Sequence, residues 1–453
     1  MFKVCKFGGS SLADAAQVRK VCDIILADSA RRIVVVSAPG KRHSNDIKVT
    51  DLLICCAAKA LAGEDYQEVL QAIVVRYAEI AAELALPTTL VDEIAADLQR
   101  RVTGSRAHAG MFQDSMKAAG EDNSARLVAA AFKARGVVAT YVDPKEAGMR
   151  LTNEFGNAQL LSDSYPLLES YLKKVDGIAV FPGFFGYTLA GEVATFPRGG
   201  SDITGAILAA AVKADVYENF TDVDSVYPVD PRIVPEVKKG IAVMTFREMR
   251  ELAYAGFGVF HDEAVLPAVR AGIPINIRNT NHPEAPGTML VVKRDYDCCA
   301  VVGIASDDGF VHLYIDKYLL NREVGLGRRL LQILESEKVS WEHMPTGIDN
   351  ISVIIRGDAF DKDREERVLK RIHEELKPDN VLVERDHAII MVVGEGMQYA
   401  VGMSARATRA LADAGVNIEM LNQGASEISV MFGVRSADRI KAVRALYYAF
   451  FNS

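Results

Sequence analysis

The sequence contains no run of the ~20 apolar residues that a bilayer-spanning helix needs. It also has no basic surplus, since 52 Lys and Arg stand against 60 Asp and Glu for a net charge of −8. The first absence argues against a membrane-spanning helix, and no membrane partner is expected. The second argues against nucleic acid, because there is no positive excess to release counterions from a phosphate backbone, though a single nucleotide needs only one local cation. The six cysteines, Cys5, Cys22, Cys55, Cys56, Cys298 and Cys299, show no C-x-x-C pair and no His/Cys ligand spacing. They read as reduced, buried small hydrophobes of a cytoplasmic protein. Met1-Phe2-Lys3-Val4-Cys5-Lys6-Phe7 places a lysine inside any would-be apolar signal segment and then turns at Gly8-Gly9; it reads as a first strand, not a leader. No G-x-x-x-x-G-K-[ST] occurs, which excludes a Walker-type nucleotide site.

What is present is alternation. Ile33-Val34-Val35-Val36, Gly177 to Phe181 and Ile273 to Ile277 are short apolar runs, the pattern of strands buried on both faces. Leu12, Ala15, Val18, Cys22 and Ile25 mark one stripe of an intervening helix. Strand–helix alternation predicts an α/β fold, a mainly parallel open sheet with helices on both faces, over residues 1–295. The last third instead repeats itself. Val324-Gly325 through Val353 superposes on Val401-Gly402 through Val430 without a gap, at a constant offset (401 − 324 = 77). Two copies of one α+β unit follow, each reading strand, glycine turn, helix, strand, strand, helix. The second copy ends too early for a final strand, so the run Ala300 to Ile304 is expected to pair into it. That makes residues 308–386 a first copy inserted into a second one built from 296–307 and 387–453.

Three segments carry chemistry. Lys6-Phe7-Gly8-Gly9-Ser10-Ser11 follows a strand and opens a helix, where glycines admit a phosphate close to the backbone and unpaired N–H groups point at it. Ser11 is expected as the helix N-cap, with Asp14 completing a capping box. Arg198-Gly199-Gly200-Ser201-Asp202 is a second diglycine turn into a helix. Its arginine is able to fork onto a carboxylate, and Asp202 to meet an ammonium group or to orient Lys6. Thr221-Asp222-Val223-Asp224 and on through Tyr227 to Arg232 follows the strand Val216 to Phe220, at the sheet edge where α/β proteins bind ligands; the bland reading is an acidic surface turn. Phosphoryl transfer to a carboxylate needs positioning and charge neutralisation but no general base, so the lack of a catalytic His or Cys is in keeping with it.

In this order, Lys6 to Ser11, Val36 to Gly40, Val49 to Leu53, Phe155 to Ala158, Arg198 to Asp202 and Thr221 to Asp224 resemble the motifs of the aspartokinases. Val393 to Met397, Val416 to Ile418, Gln423-Gly424 and Ser426-Glu427 resemble their ACT (ferredoxin-like) domains. The resemblance implies an amino-acid-kinase domain followed by two ACT domains, catalysing ATP plus L-aspartate to 4-phospho-L-aspartate on the route to lysine, threonine and methionine. It implies that Lys6, Gly8, Gly9 and Asp202 are catalytic and that Ser37, Thr50, Glu121, Arg198, Gly200 and Ser201 hold the substrate. Ser10, Thr221, Asp222, Asp224, Tyr227 and Arg232 would hold the nucleotide, with Mg²⁺ carried by the ATP phosphates rather than by a dedicated protein site. No homoserine dehydrogenase is expected, since the chain ends too early for one.

The ACT resemblance implies feedback inhibition by lysine, threonine or both, in a homodimer or dimer of dimers. Asn321, Glu323, Gly325, Thr346 and Asp349 are the effector-site candidates in the first copy, with Asn417, Gln423 and Ser426 in the second. One departure stands out: many relatives have a nucleotide-contacting lysine where this chain has Gly258, and Arg232 or Lys41 is expected to substitute. Two other readings compete. A sibling kinase acting on glutamate, acetylglutamate or a nucleoside monophosphate would lack the combination of Lys6 to Gly9 with twin ACT units. A sensor that has lost turnover has only Gly258 in its favour.

Overall fold

In the computed structural model, which describes residues 2–257, 262–296 and 300–451, β1 (Lys3–Phe7) runs through the middle of an eight-stranded sheet. The other strands are β2 (Arg31–Val36), β3 (Ala139–Tyr141), β4 (Ile178–Pro182), β7 (Val216–Thr221), β8 (Val243–Thr245), β9 (Ile275–Asn279) and β10 (Thr288–Val291). A small hairpin, β5 (Phe185–Tyr187) and β6 (Val193–Thr195), stands apart. The order is β3-β4-β2-β1-β7-β9-β10-β8, parallel except where β10 turns antiparallel to β9. Chain order reverses at β1, whose neighbours are β2 on one side and β7 on the other, so the loops after these three strands share one edge. That is the switch point where open α/β sheets bind ligands.

The expected strands are present, and the stripe Leu12, Ala15, Val18, Cys22 and Ile25 is buried. The helix start differs. Gly9–Leu12 forms a 3₁₀ turn, so the α-helix begins one turn later at Ala15, and Asp14 is its N-cap, accepting from the Gln17 amide at 2.8 Å. Ser11 instead pairs its hydroxyl with that of Thr280 at 2.7 Å. Cys5, Cys22 and Cys56 are buried free thiols, but Cys55 is exposed, because successive helical residues point about 100° apart and only one faces the core. Cys298 and Cys299 lie outside the described residues.

By contacts the chain divides into two units: Met1–Val226, Gly240–Phe246 and His261–Arg294, and then Tyr227–Lys239, Arg247–Phe260 and Asp295–Ser453. Segment 227–239 belongs to the second because Val229, Val234 and Val237 bury in that unit's core. The second unit is one antiparallel sheet of β11 (Gly303–Asp316), β12 (Asn350–Arg356), β13 (Asn380–Val393), β14 (Met420–Gln423) and β15 (Ser429–Arg435), in the order β12-β11-β13-β15-β14. β11 and β13 run through both repeat copies. Phe310–Asp316 pairs with β12 and with the first half of β13, whereas Gly303 and Ile304 pair with Val393 and Val392, beside β15. Each copy has its own core: Val311, Leu313, Ile315 and Leu330 in the first, Ile390, Val392, Leu411 and Phe432 in the second. In the first copy the strand expected before β12 is reduced to bridges from His343 and Thr346.

A buried charge network ties the first unit's sheet together. Glu218 on β7 is 1 % exposed. It takes Arg31 on both oxygens, at 2.6 and 3.1 Å, Arg278 at 3.1 Å and Lys3 at 3.6 Å. Burial pushes its carboxyl up, yet the Arg31 hydrogen bonds and charge, with Lys3 and Arg278, bring it net below the ordinary carboxylate range. The lowered value means that its contribution is present above the unfolded carboxylate pKa and is lost as pH falls through the folded one. Glu218→Gln, which strands cations in the core, is expected to lower stability by about 3 kcal/mol in urea unfolding near neutrality. The deficit should shrink toward acid pH.

Candidate active site

β1 delivers Lys6 to the shared edge, where it is 8 % exposed. Phe7 stacks on Phe220 of β7 with centroids 4.7 Å apart, and the Gly8 amide donates to the Phe220 carbonyl at 3.2 Å, so the ends of β1 and β7 are locked. The sheet register sets Lys6 beside Asn219. Both reach one carboxylate: Lys6 Nζ lies 2.6 Å and Asn219 Nδ2 2.7 Å from Asp202 Oδ1. Asp202 stands in the first turn of the helix Gly200–Val212, where a negative charge also suits the helix dipole. Gly199, the residue before that helix, has φ +82°, a conformation that favours glycine. Gly205 one turn on lets the helix approach β7, since a Cβ there would meet the Tyr217 hydroxyl at 2.4 Å.

The loop after β2 closes the other side. The Ser37 amide donates to Phe7 and the Gly40 amide to Gly9 at 2.8 Å, and a Cβ on Gly9 would sit 2.9 Å from the Ala38 carbonyl. A Cβ on Gly183, after β4, would likewise sit 2.6 Å from the Ser201 hydroxyl. The helix Ala109–Ala134 passes the same loop and presents Glu121, which is 5 % exposed. Its Oε2 has no hydrogen-bond partner. Burial pushes this carboxyl up to about 8, opposed in part by backbone hydrogen bonds, the Ala38 amide first, and by the charge of Lys6. Burial raises the neighbouring Asp122 as well, but its partners differ: Arg101 at 2.6 Å and Tyr141 satisfy it as part of the scaffold. Thr50 is half-buried in the first turn of the helix Val49–Ala62, whose first amide donates to the Pro39 carbonyl.

The two diglycine turns are thus joined through Lys6 and Asp202. Arg198 is exposed on the second turn and makes no ion pair with a described residue; Ser10 is exposed on the first. After β7, the Thr221 hydroxyl donates to Asp222 at 3.2 Å. Asp224 is held by Asn279 at 2.6 Å and His282 at 2.8 Å, in that order the causes that pull its carboxyl down. Tyr227 and Arg232 lie in the second unit. There Tyr227 packs against the core and Arg232, 90 % exposed, chelates Asp230. Lys41 is exposed, with Nζ 3.4 Å from the Ser44 carbonyl, and Gly258 lies outside the described residues. Sequence reasoning passed over Asn219, Tyr217, Asn279 and His282. A polar Asn inside a buried strand, and Asn279-Thr280-Asn281 directly after one, were the available signals.

In the second unit the effector candidates of the first copy converge. Glu323 pairs with Lys317 at 2.5 Å and with Arg329. Asp349 accepts from the Leu319 amide at 2.8 Å, the Asn321 amide donates to Ile348, and Thr346 bridges to Ile351. Gly325 and its repeat counterpart Gly402 both start their helices at positive φ, +82° and +88°. In the second copy Asn417, Gln423 and Ser426 are exposed, and Gln423 accepts from the Ser404 hydroxyl at 3.0 Å.

Burial thus favours the protonated form of Glu121 in the folded chain. Ionising this group in the folded chain costs more than in the unfolded one, so stability declines as pH climbs from about 4.5 toward 8. Glu121→Gln is expected to melt a few degrees above the parent at pH 8 and level with it at pH 5, as scanning calorimetry would record.

Comparison with known proteins agrees with this geometry. The profile of the amino acid kinase family matches residues 1–279, and an ACT domain matches residues 390–450. Aspartokinase 3 of Bacillus subtilis is 55 % identical over 449 residues, 99 % of this chain and 98 % of that protein. The crystal structure of Clostridium acetobutylicum aspartate kinase, an allosteric enzyme, superposes with a TM-score of 0.87 at 36 % identity, covering 99 % of both chains. Aspartokinase III of E. coli, 26 % identical, superposes at 0.76 in its aspartate and ADP complex (R-state) over all of both chains. In its lysine and aspartate complex (T-state) the value is 0.77, over 99 % of both. The chain belongs to the amino acid kinase family and, within it, to the aspartokinases with ACT domains.

Proposed function

We propose that the edge crevice around Lys6 is where this aspartokinase moves the γ-phosphoryl of ATP onto the side-chain carboxylate of L-aspartate. The observation that carries the assignment is the contrast at one site: an ammonium already oriented by Asp202 and Asn219 beside a buried carboxyl with an unused oxygen. Lys6 neutralises charge as it builds on the transferring group, and Asp202 fixes where that ammonium sits. Gly8 and Gly9 keep the corner bare; a Cβ at Gly8 would stand 3.7 Å from Lys6 Nζ, in the space a phosphate needs. Glu121, with Asp202, receives the substrate ammonium, a cation that supplies the missing partner of Oε2 and favours the ionised carboxylate. Arg198 takes the α-carboxylate, with Ser37, Thr50, Gly200 and Ser201 lining the pocket. The aspartate side-chain oxygen is nucleophilic without a base; it attacks the γ-phosphorus as the bond to the β-phosphate bridging oxygen breaks, leaving acyl phosphate and ADP.

Ser10, Thr221, Asp222 and Asp224 serve the nucleotide, Asp224 by tethering its loop through Asn279 and His282. Mg²⁺, carried by the ATP phosphates, would supply charge neutralisation there. The exposed carboxylate of Asp222, engaged among the described residues by the Thr221 hydroxyl alone, would face it.

The kinase domain is assigned to residues 1–295, the first ACT domain to 308–386, and the second to 296–307 with 387–453. The pairing of Gly303 and Ile304 with β13 beside β15 supports that division. Lysine, the ligand named for the E. coli T-state structure, is the preferred effector here, threonine the alternative, and a homodimer or dimer of dimers in the cytoplasm the working form. Among the described residues no helix is long and apolar enough to cross a membrane.

Lys6→Ala is expected to cut kcat at least about 10³-fold, the scale of losing one transition-state charge partner, with the aspartate KM little changed. Arg198→Ala should instead raise the aspartate KM tenfold or more. Hydroxylamine trapping of the acyl phosphate measures both, and a near-normal kcat in the first variant removes Lys6 from this role. Calorimetric titration should show lysine binding that weakens in Asp349→Ala; heat from neither lysine nor threonine sinks the sensor assignment.

A further inference from the structure

His312 on β11 and Glu384 and His387 on β13 bring their ligand atoms within 4.8 Å of one another in the second unit. No linear spacing announces this, and a bulge creates it. Residues three apart on a regular strand point to opposite faces, but between Glu384 and His387 the chain carries Asp386 at φ +65°, and the pairing with β11 shifts register between Phe310 and His312. The irregularity turns Glu384 and His387 to the same face, with His312 directly opposite Glu384.

Hydrogen bonding settles which nitrogens are available. The His387 Nδ1 sits 3.0 Å from Glu419 Oε2, and the His312 Nε2 lies 2.8 Å from the Ser352 hydroxyl. That leaves His387 Nε2 and His312 Nδ1 to face Glu384 Oε2, at 3.8 and 3.9 Å. Both spacings are too long for hydrogen bonds and close to the roughly 3.4 Å between ligand atoms around a tetrahedral zinc ion. His387 is 5 % exposed, and its Nε2 is a buried nitrogen with no partner. Arg435 holds the other oxygen of each carboxylate, Glu419 Oε1 at 2.7 Å and Glu384 Oε1 at 3.4 Å, so it orients both acids without filling the gap.

We infer that His312, Glu384 and His387 form a binding site for one borderline late first-row divalent cation of the Zn²⁺ class, pinning β11 to β13 where these strands pass from one repeat copy to the other. Two imidazoles and a carboxylate are the donors such ions take, whereas Mg²⁺ and Ca²⁺ require all-oxygen shells. Glu419 and Ser352 act as positioning residues: each engages the histidine nitrogen turned away from the ion and so fixes the tautomer. The Glu384 side chain is 45 % exposed, which leaves room for water at a fourth position. The site lies in the second unit and depends on no part of the phosphoryl-transfer assignment.

The test uses the full chain without a histidine tag, titrated with Co²⁺ as a spectroscopic probe and with Zn²⁺ in thermal melts. One Co²⁺ per chain should bind with the strong visible absorption of four-coordinate cobalt, and Zn²⁺, but not Mg²⁺ or Ca²⁺, should raise Tm. His312→Asn and Glu384→Gln should lose the band and the Tm response while circular dichroism stays unchanged. Glu419→Gln should keep the band with affinity lower by about 10–100-fold. A folded parent chain that shows no cobalt band, or a band equally strong in His312→Asn and Glu384→Gln, overturns the proposal.

Discussion

The contact on which the catalytic unit depends is the one between Lys6 and Asp202. It links the central strand of the sheet to the helix Gly200–Val212 and so brings together two glycine turns that lie almost two hundred residues apart in the chain. Neither partner would hold its place alone. Asp202 is fixed by Asn219 as well, and Asn219 is beside Lys6 only because β1 and β7 pair in that register. The glycines are then consequences of proximity: the loops at Gly9 and Gly40, and the helix at Gly205 against Tyr217, leave no space for a Cβ. Close backbone approach is what exposes amides at a strand edge to a phosphate.

Buried carboxylates in this unit divide into two kinds, and the division separates scaffold from chemistry. Glu218, Asp122 and Asp97 are each met by arginine: Glu218 by Arg31 and Arg278, Asp122 and Asp97 by Arg101. A buried charge so compensated is a structural element, costly to break from one side. Glu121 is as deeply buried as its neighbour Asp122 but keeps an oxygen without a partner. An uncompensated acid beside an ammonium is a destabilised arrangement, and such arrangements concentrate where a ligand completes them.

The regulatory unit obeys a different constraint. Its two repeat copies share β11 and β13, each 14 residues long, so the halves are joined through continuous sheet. Each half buries its own apolar face, and the junction is the one place where the ladder is irregular. Polar and titratable groups collect there: His312, Glu384, His387, Glu419 and Arg435 meet where the bulge breaks the alternation that elsewhere keeps such side chains apart. A disturbance at this junction reaches both copies through strands that neither owns alone.

The sequence by itself determined the elements, the repeat and the family, because these rest on local periodicity and on glycine, lysine and arginine at fixed spacings. Strand runs at Ile33, Gly177 and Ile273, the repeat offset and the two diglycine turns needed no partner to be recognised. Tertiary structure decided what depends on register and burial. It moved the helix cap from Ser11 to Asp14, joined Lys6 to Asn219 and Asp202, and paired Asp224 with Asn279 and His282 as a loop fastener. It drew residues 227–239 into the second unit through three valines, left Glu121 unsatisfied while Asp122 was not, and turned Glu384 and His387 onto one face. Each of these is set by which strands lie side by side and where a ladder slips, and no single stretch of sequence encodes that.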